Sequence, residues 1–227
     1  CDSCRECVFV MTQRILYVSI TDNTVYAEAG ARFSSLILKA RGAGLALLPE
    51  LVGIPGRLGG MIYSNAGAFG AQISDRLVSC ELYDIEKRSK VTLSREQMAF
   101  SYRKSIMSEG RFVLLSSLFR AASTSNEDVD KIIRAVNRRR HDSQPHGLPS
   151  LGSTFKRPSG DFAARLIDEA GLKGFRIGGA EVSKKHAGFV VNLGGATAAE
   201  VRSLLCQVSD IVFDKFGIRL EPEIRIL

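Results

Sequence analysis

Three cysteines, Cys1, Cys4 and Cys7, stand in the C-x2-C-x2-C spacing that can hold zinc or an iron–sulfur cluster. Such a site wants a fourth ligand. Only Cys80 and Cys206 remain to supply it, far along the chain, so the three read as ordinary thiols of a reducing compartment and no metal is expected. A second feature is GIPGRLGGMIYSNAGAFG at 53–70, where Gly53, Gly56, Gly59, Gly60, Gly67 and Gly70 stand among small residues. Glycine lets backbone approach a ligand closely. The stretch is not the G-x-G-x-x-G of a Rossmann unit, because no strand and βαβ pattern frames it. The longest basic run, Arg138 to Arg140, has no interleaved aromatics and closes a helical pattern, where cations complement the dipole.

The elements that must position these residues read as α+β. Residues 7–30 alternate strand-like pieces with polar turns such as Asp22-Asn23, a β meander. A helix is expected over 31–43, with Phe33, Leu36, Ile37 and Leu38 apolar. Strands LVSCELYD and VTLS form a hairpin around Lys87 to Lys90, and FVLLSSLFRA follows the polar segment FSYRKS. Ser125 caps the helix NEDVDKIIRAVNRRRH, whose buried face is Val129, Ile132, Ile133 and Val136. Pro145 and Pro149 then break the chain. Beyond them come helix DFAARLIDEA stopped by Gly171, strand HAGFVVN, a helix opened by Thr197 and Glu200 in capping-box spacing and closed by Gly217, and a last strand IRLEPEIRIL.

With 227 residues, 45% of them hydrophobic, the chain can bury one large domain or two small ones. Its formal charge of +7 and pI near 9.3 suit partners carrying phosphate or carboxylate. Apolar runs are far shorter than a membrane helix needs, and no signal peptide opens the chain. A soluble, cytoplasmic protein without nucleic-acid or membrane partners is expected.

Five segments, in order, resemble one family. They are GIPGRLGG…NAGAFG at 53–70, SYRKS at 101–105, LPSLGSTFKRP at 148–158, AGLKGFRIGGAEVSKKHAGFVVNLGGAT at 170–197 and the closing LEPEIRIL. Together they are similar to the UDP-N-acetylenolpyruvoylglucosamine reductases, in the shorter subclass without a tyrosine-bearing insertion loop. The resemblance implies FAD as cofactor, NADPH as hydride donor, and reduction of UDP-N-acetylglucosamine enolpyruvate to UDP-N-acetylmuramate in peptidoglycan precursor synthesis. It implies a vanillyl-alcohol-oxidase-like FAD-binding domain over 1–143 and a smaller α+β substrate-binding domain over 144–217, with strand 218–227 returning to the first. Family members carry a further glycine-rich G-G-G-S-N segment that is not found here. The chain opens on Cys1 rather than Met, so it is expected to be shortened at its N-terminus.

By the same resemblance, Arg103 grips the substrate carboxylate, a task suited to a fork that stays charged and binds bidentately. Ser153 protonates the carbanion formed by hydride addition, with Gly152 leaving room beside it, and a serine needs a hydrogen-bonded relay to do so. Glu223 helps polarise the substrate. The sequence itself does not separate it from Glu221, on the same face of an ideal strand; the match chooses Glu223. Gly53, Ile54, Pro55, Gly56, Gly59 and Gly60, then Asn65, Ala66, Gly67 and Ala68, match the flavin-cradling loop, and Arg225 would lie near the flavin. Tyr102, Lys156 and Arg157 match substrate-binding positions, the latter two towards the UDP phosphates. Ser143 stands where the family often has a substrate-binding lysine. The rival readings are a flavin oxidase or dehydrogenase of the same superfamily with another substrate, an inactive fragment, and a non-catalytic basic binding module or metal protein.

Overall fold

The computed structural model describes residues 11–224; Cys1, Cys4, Cys7 and Arg225 lie outside the described residues. Two compact units divide the chain, one running to Arg138 and the other from Arg139.

The first unit is built on a five-stranded antiparallel sheet. Strands β1 (Val18–Thr21) and β2 (Thr24–Glu28) form a hairpin whose turn places Asp22 at φ +50°. Helix α1 (Phe33–Gly42) and the two-residue strand β3 (Leu45–Ala46) follow. Helix α2 (Leu58–Tyr63) and a small hairpin, β4 (Gly67–Ala68) and β5 (Ala71–Gln72), occupy the glycine-rich stretch. Then come β6 (Leu77–Asp84), β7 (Ser89–Ser94), β8 (Phe112–Arg120), β9 (Ala122–Ser123) and helix α3 (Asn126–Ser143). The sheet order is β1-β2-β8-β6-β7, and β9 pairs with β3.

Alternation buries Cys80, Leu82 and Asp84 on β6, and register irregularities between β6 and β8 let Leu114 and Phe119, five residues apart, both join the core. Helix α1 covers that core with Phe33, Leu36, Ile37 and Ala40, the i, i+3, i+4, i+7 stripe of an amphipathic helix. Leu38 falls off the stripe and is exposed. Phe33 meets Phe119 edge-on at 6.0 Å. Burying side chains of this size contributes roughly 1.5–3 kcal/mol each. The buried Asp84 closes the β6–β7 turn by accepting the N–H groups of Glu86 and Lys87 at 3.0 and 3.1 Å. It also binds the Arg111 guanidinium at 2.6 Å, which holds its carboxyl down at about 2. Helix α3 starts at the expected cap, the Asp128 N–H donating to Ser125 Oγ at 3.1 Å. Its acidic first turn and basic last turn both complement the helix dipole.

The second unit holds another antiparallel sheet, of β10 (Ser150–Ser153), β11 (Arg176–Ile177), β12 (Ala180–Val182) and β13 (Phe189–Asn192) in the order β10-β13-β12-β11. Helices α4 (Ala163–Glu169) and α5 (Ala198–Phe216) pack their apolar faces, including Leu166, Ile167, Leu204 and Val208, into its core. The capping box on α5 forms as read from sequence: Glu200 N–H donates to Thr197 Oγ1 and Thr197 N–H to the Glu200 carboxylate, at 3.2 and 2.9 Å. Gly217 ends the helix at φ +70°.

The division at Arg138 lies inside α3, a few residues before the prolines expected to mark a boundary. The closing segment 218–227 is described as far as residue 224. Residues 218–224 belong to the second unit, where Leu220 is buried in the core and its carbonyl accepts from Ser209 Oγ at 3.0 Å. The segment is extended rather than a regular strand, meeting the chain at one bridge, Phe155 to Pro222. No helix of the described residues is long and apolar enough to cross a membrane.

Candidate active site

Residues 53–70 do more than their glycines suggest. Leu58, Met61 and Ile62 on α2 are buried in the first core and anchor the segment. At the start of α2, Leu58 N–H reaches Ala31 O and Gly59 N–H reaches Ala29 O, both at 2.9 Å. The loop ahead of this seam, Gly53 to Gly56, rims a cavity of about 580 Å3. Arg32 and Arg57 and the first-turn serines of α1, Ser34 and Ser35, complete its wall. Two guanidinium groups, the positive end of a helix dipole and backbone with little side chain suit a phosphorylated ligand. These residues fit the pyrophosphate of a dinucleotide such as FAD.

Helix α2 ends in a Schellman motif. Asn65 takes the left-handed conformation at φ +42°, its N–H donates to Ile62 O, and Ala66 N–H donates to Met61 O at 2.8 Å. Asn65 matches a flavin-contacting position of the family, yet its side chain is 2% exposed and occupied internally. Nδ2 donates to Gln72 Oε1 at 3.0 Å and to Ser101 O at 3.1 Å, and Oδ1 accepts the Ser74 N–H. Ala66, Gly67 and Ala68 lead into the β4–β5 hairpin. A Cβ on Gly67 would sit 2.9 Å from Ala71 O, so glycine is required there by the hairpin itself.

Arg103 occupies the tip of a tight turn. Ser101 and Lys104 exchange both backbone hydrogen bonds, at 3.1 and 3.2 Å, leaving Tyr102 and Arg103 between them. Arg103 has φ +56°, where turns ordinarily take glycine or asparagine and where another residue costs about 1–2 kcal/mol. Strain of this kind collects at functional sites. The guanidinium stacks near the half-exposed Tyr102 ring at 5.2 Å and approaches Gly67 O at 3.5 Å. The turn therefore sits against the glycine-rich segment, a proximity that sequence alone does not give.

In the second unit, Ser153 closes β10 at an irregularity. The register of β10 against β13 shifts between Ser150 and Ser153, and Gly152 stands at φ +71°. A glycine bulge of this kind re-aims the next side chain. Gly152 was expected to leave room for close approach. A Cβ there would meet no protein atom within 4 Å, and the φ of +71° favours glycine by itself. Thr154 N–H and Oγ1 fix the strand beyond, on Gly188 O and Gly152 O.

The structure separates Glu221 from Glu223. Lys156 N–H donates to Glu221 O and its ammonium is paired with the Glu221 carboxylate, which leaves this lysine engaged within the protein rather than set apart for phosphate. Glu223 lies one step along the same ladder, its N–H donating to Thr154 O at 2.8 Å, next to Ser153 in sequence. Arg157 stacks on the Phe162 ring at 4.3 Å.

Several residues here were not singled out from sequence: Arg32, Gln72 and Ser105 in the first unit, and His186 in the second. Ser105 is fully buried, and its hydroxyl donates to Tyr63 O at 2.8 Å. His186, on the loop whose Gly188 pairs with Thr154, meets the Phe189 ring at 4.9 Å, and burial lowers its pKa. Only its place in the SKKH run could have flagged it. Among the described residues, no group of three His, Cys, Asp or Glu is arranged to hold a metal.

Comparison with known proteins gives the family of the chain. A model of an FAD-binding domain matches residues 2–87, and one of the C-terminal domain of UDP-N-acetylenolpyruvoylglucosamine reductase matches 144–227. The chain is 45% identical to a Caldicellulosiruptor bescii UDP-N-acetylenolpyruvoylglucosamine reductase, over 96% of this chain and 70% of that one. A Staphylococcus carnosus reductase of the same name is 39% identical over 93% of this chain and 68% of its own length. The crystal structure of the Thermus caldophilus enzyme superposes with a TM-score of 0.80 at 33% identity, covering 91% of this chain and 73% of the other. The chain belongs to the UDP-N-acetylenolpyruvoylglucosamine reductase family.

Proposed function

We propose that this chain carries out the FAD-dependent reduction of UDP-N-acetylglucosamine enolpyruvate to UDP-N-acetylmuramate, a step of peptidoglycan precursor synthesis, in the cytoplasm and with NADPH as reductant. The observation that carries the reading is the strained Arg103 turn seated on the glycine-rich segment, within a chain of this family. Gly53, Ile54, Pro55, Gly56, Gly59 and Gly60 and the Asn65–Ala68 segment would hold FAD, with Arg32 and Arg57 towards its pyrophosphate. Bound FAD supplies hydride transfer from NADPH to the terminal carbon of the enolpyruvyl alkene.

The remaining work falls to the protein. As hydride arrives, negative charge develops on the neighbouring carbon and its carboxylate, and preorganised charge in a dry site stabilises it. Arg103 binds that carboxylate as a permanent cation. Ser153 Oγ gives its proton to the same carbon, completing addition of one hydride and one proton. Glu223 polarises the substrate beside it. Tyr102 and Arg157 contribute binding surface, and Lys156 reaches a UDP phosphate only by leaving Glu221.

The test is product analysis. Flavin-loaded protein given NADPH and the enolpyruvyl sugar in deuterated water should yield the lactyl ether carrying one solvent deuterium on the carbon bearing the carboxylate. Absence of the lactyl ether would overturn the proposal.

A further inference from the structure

We propose that Ser105 and Asn65 form a two-point clamp that positions Arg103, an inference that rests on the reductase reading above. The Arg103 turn is held from both sides by the C-terminal end of α2. On one side Asn65 Nδ2 donates to Ser101 O at 3.1 Å; on the other Ser105 Oγ donates to Tyr63 O at 2.8 Å. Both residues are buried, at 2% and 0% exposure, while Tyr102 at the tip is 54% exposed. A buried pair thus grips the base of an open, strained tip.

One bond serves the end of α2 and the other a carbonyl of the turn. The last carbonyls of a helix have no partner within it. The Schellman motif satisfies those of Met61 and Ile62, and the Tyr63 carbonyl receives the Ser105 hydroxyl instead. Asn65 is the residue in the left-handed position, so the same residue that ends the helix sends its side chain to the turn. Glycine would serve the helix end equally well, but it could not reach Ser101. Ser105 is further fixed by its own N–H, which donates to Ser108 Oγ at 3.3 Å. Both side chains are engaged with backbone carbonyls of the protein, so whatever the Asn65 backbone does for FAD, the two side chains act on the turn as positioning groups. The left-handed Arg103 lies between these two anchored positions.

The clamp acts on substrate through Arg103, and this separates it from a general role in folding. In flavin-loaded enzyme, Ser105→Ala should slow reoxidation of the reduced flavin by the enolpyruvyl sugar about tenfold, the worth of one hydrogen bond. Flavin reduction by NADPH should keep its rate. In an Arg103→Ala background, neither Ser105→Ala nor Asn65→Gly, which keeps the left-handed backbone, should remove anything further. Equal loss in both half-reactions, or losses that multiply with Arg103→Ala, would overturn the clamp. If Ser105→Ala does not fold, the Asn65→Gly and Arg103→Ala cycle decides alone. Undiminished reoxidation in Arg103→Ala itself would instead remove Arg103 from the site, and the reading beneath the clamp with it.

Discussion

Replacing Arg103 by glycine should separate stability from activity. At φ +56° the native residue carries about 1–2 kcal/mol of strain that glycine does not. Glycine returns roughly 0.5–1 kcal/mol of this through the greater freedom of its unfolded chain. The change also removes the contacts of the guanidinium, among them a 3.5 Å approach to Gly67 O and a stacking on the Tyr102 ring, and Arg103→Ala removes the same ones. Measured against Arg103→Ala, which loses the same contacts, the net expectation is a gain of about 0.5–1 kcal/mol, or an apparent unfolding midpoint higher by roughly 1–4 °C for a chain of this size. Arg103→Ala keeps the strain and should show no rise. Activity moves the other way. Two charge-assisted hydrogen bonds to a carboxylate, at about 1.5–3 kcal/mol each, correspond to a loss of about 10²–10⁴ in kcat/KM. Thermal unfolding beside steady-state kinetics on flavin-saturated protein reads both. A glycine variant no more stable than Arg103→Ala would refute the strain argument; kcat/KM within about threefold of the parent would refute the role of Arg103.

Ser153→Ala should leave flavin reduction by NADPH intact while transfer to the enolpyruvyl sugar falls by about 10²–10⁴, as expected for a lost proton donor; stopped-flow absorbance separates the two half-reactions, and equal loss in both would sink the assignment. Ile62→Ala, at a fully buried position on α2, should cost about 2–5 kcal/mol in denaturant unfolding, and a cost below about 1 kcal/mol would mean α2 is not a core element. The Asp84 carboxyl lies at about 2 against an ordinary 3.8, chiefly through its hydrogen bond from Arg111. Because the folded value is the lower one, its stabilising contribution is complete above about pH 4 and drains away as pH falls through about 2. Arg111→Ala should flatten the fall in unfolding midpoint across that window, and an unaltered pH profile would count against the pairing.

What could be read from the sequence is mainly what is local. The Thr197–Glu200 box, the Ser125 cap, the stripe of α1 and the β6–β7 hairpin each depend on residues within a few positions of one another, and each lies where expected. Helix α2 was hidden because Gly59 and Gly60 are poor helix formers, and long-range burial of Leu58, Met61 and Ile62 overrides that preference. The partner of 218–224 was not legible for a similar reason: pairing with 154–156 joins segments far apart in sequence, and an apolar pattern does not name its partner. In the site, residue types were legible from the family resemblance, but their reasons were not. Gly67 and Gly152 serve backbone geometry. Asn65 spends its amide on the protein, and Ser105 gave no signal in sequence beyond its place in SYRKS.

One anaerobic absorbance experiment tests the assigned reaction most directly. Purified protein supplied with FAD is titrated with NADPH and then with UDP-N-acetylglucosamine enolpyruvate. The flavin bands should bleach with NADPH and return, mole for mole, on adding the enolpyruvyl sugar. Bands that bleach and stay bleached with that sugar, yet return when oxygen is admitted, would contradict the assignment and point to a flavin enzyme with a different substrate.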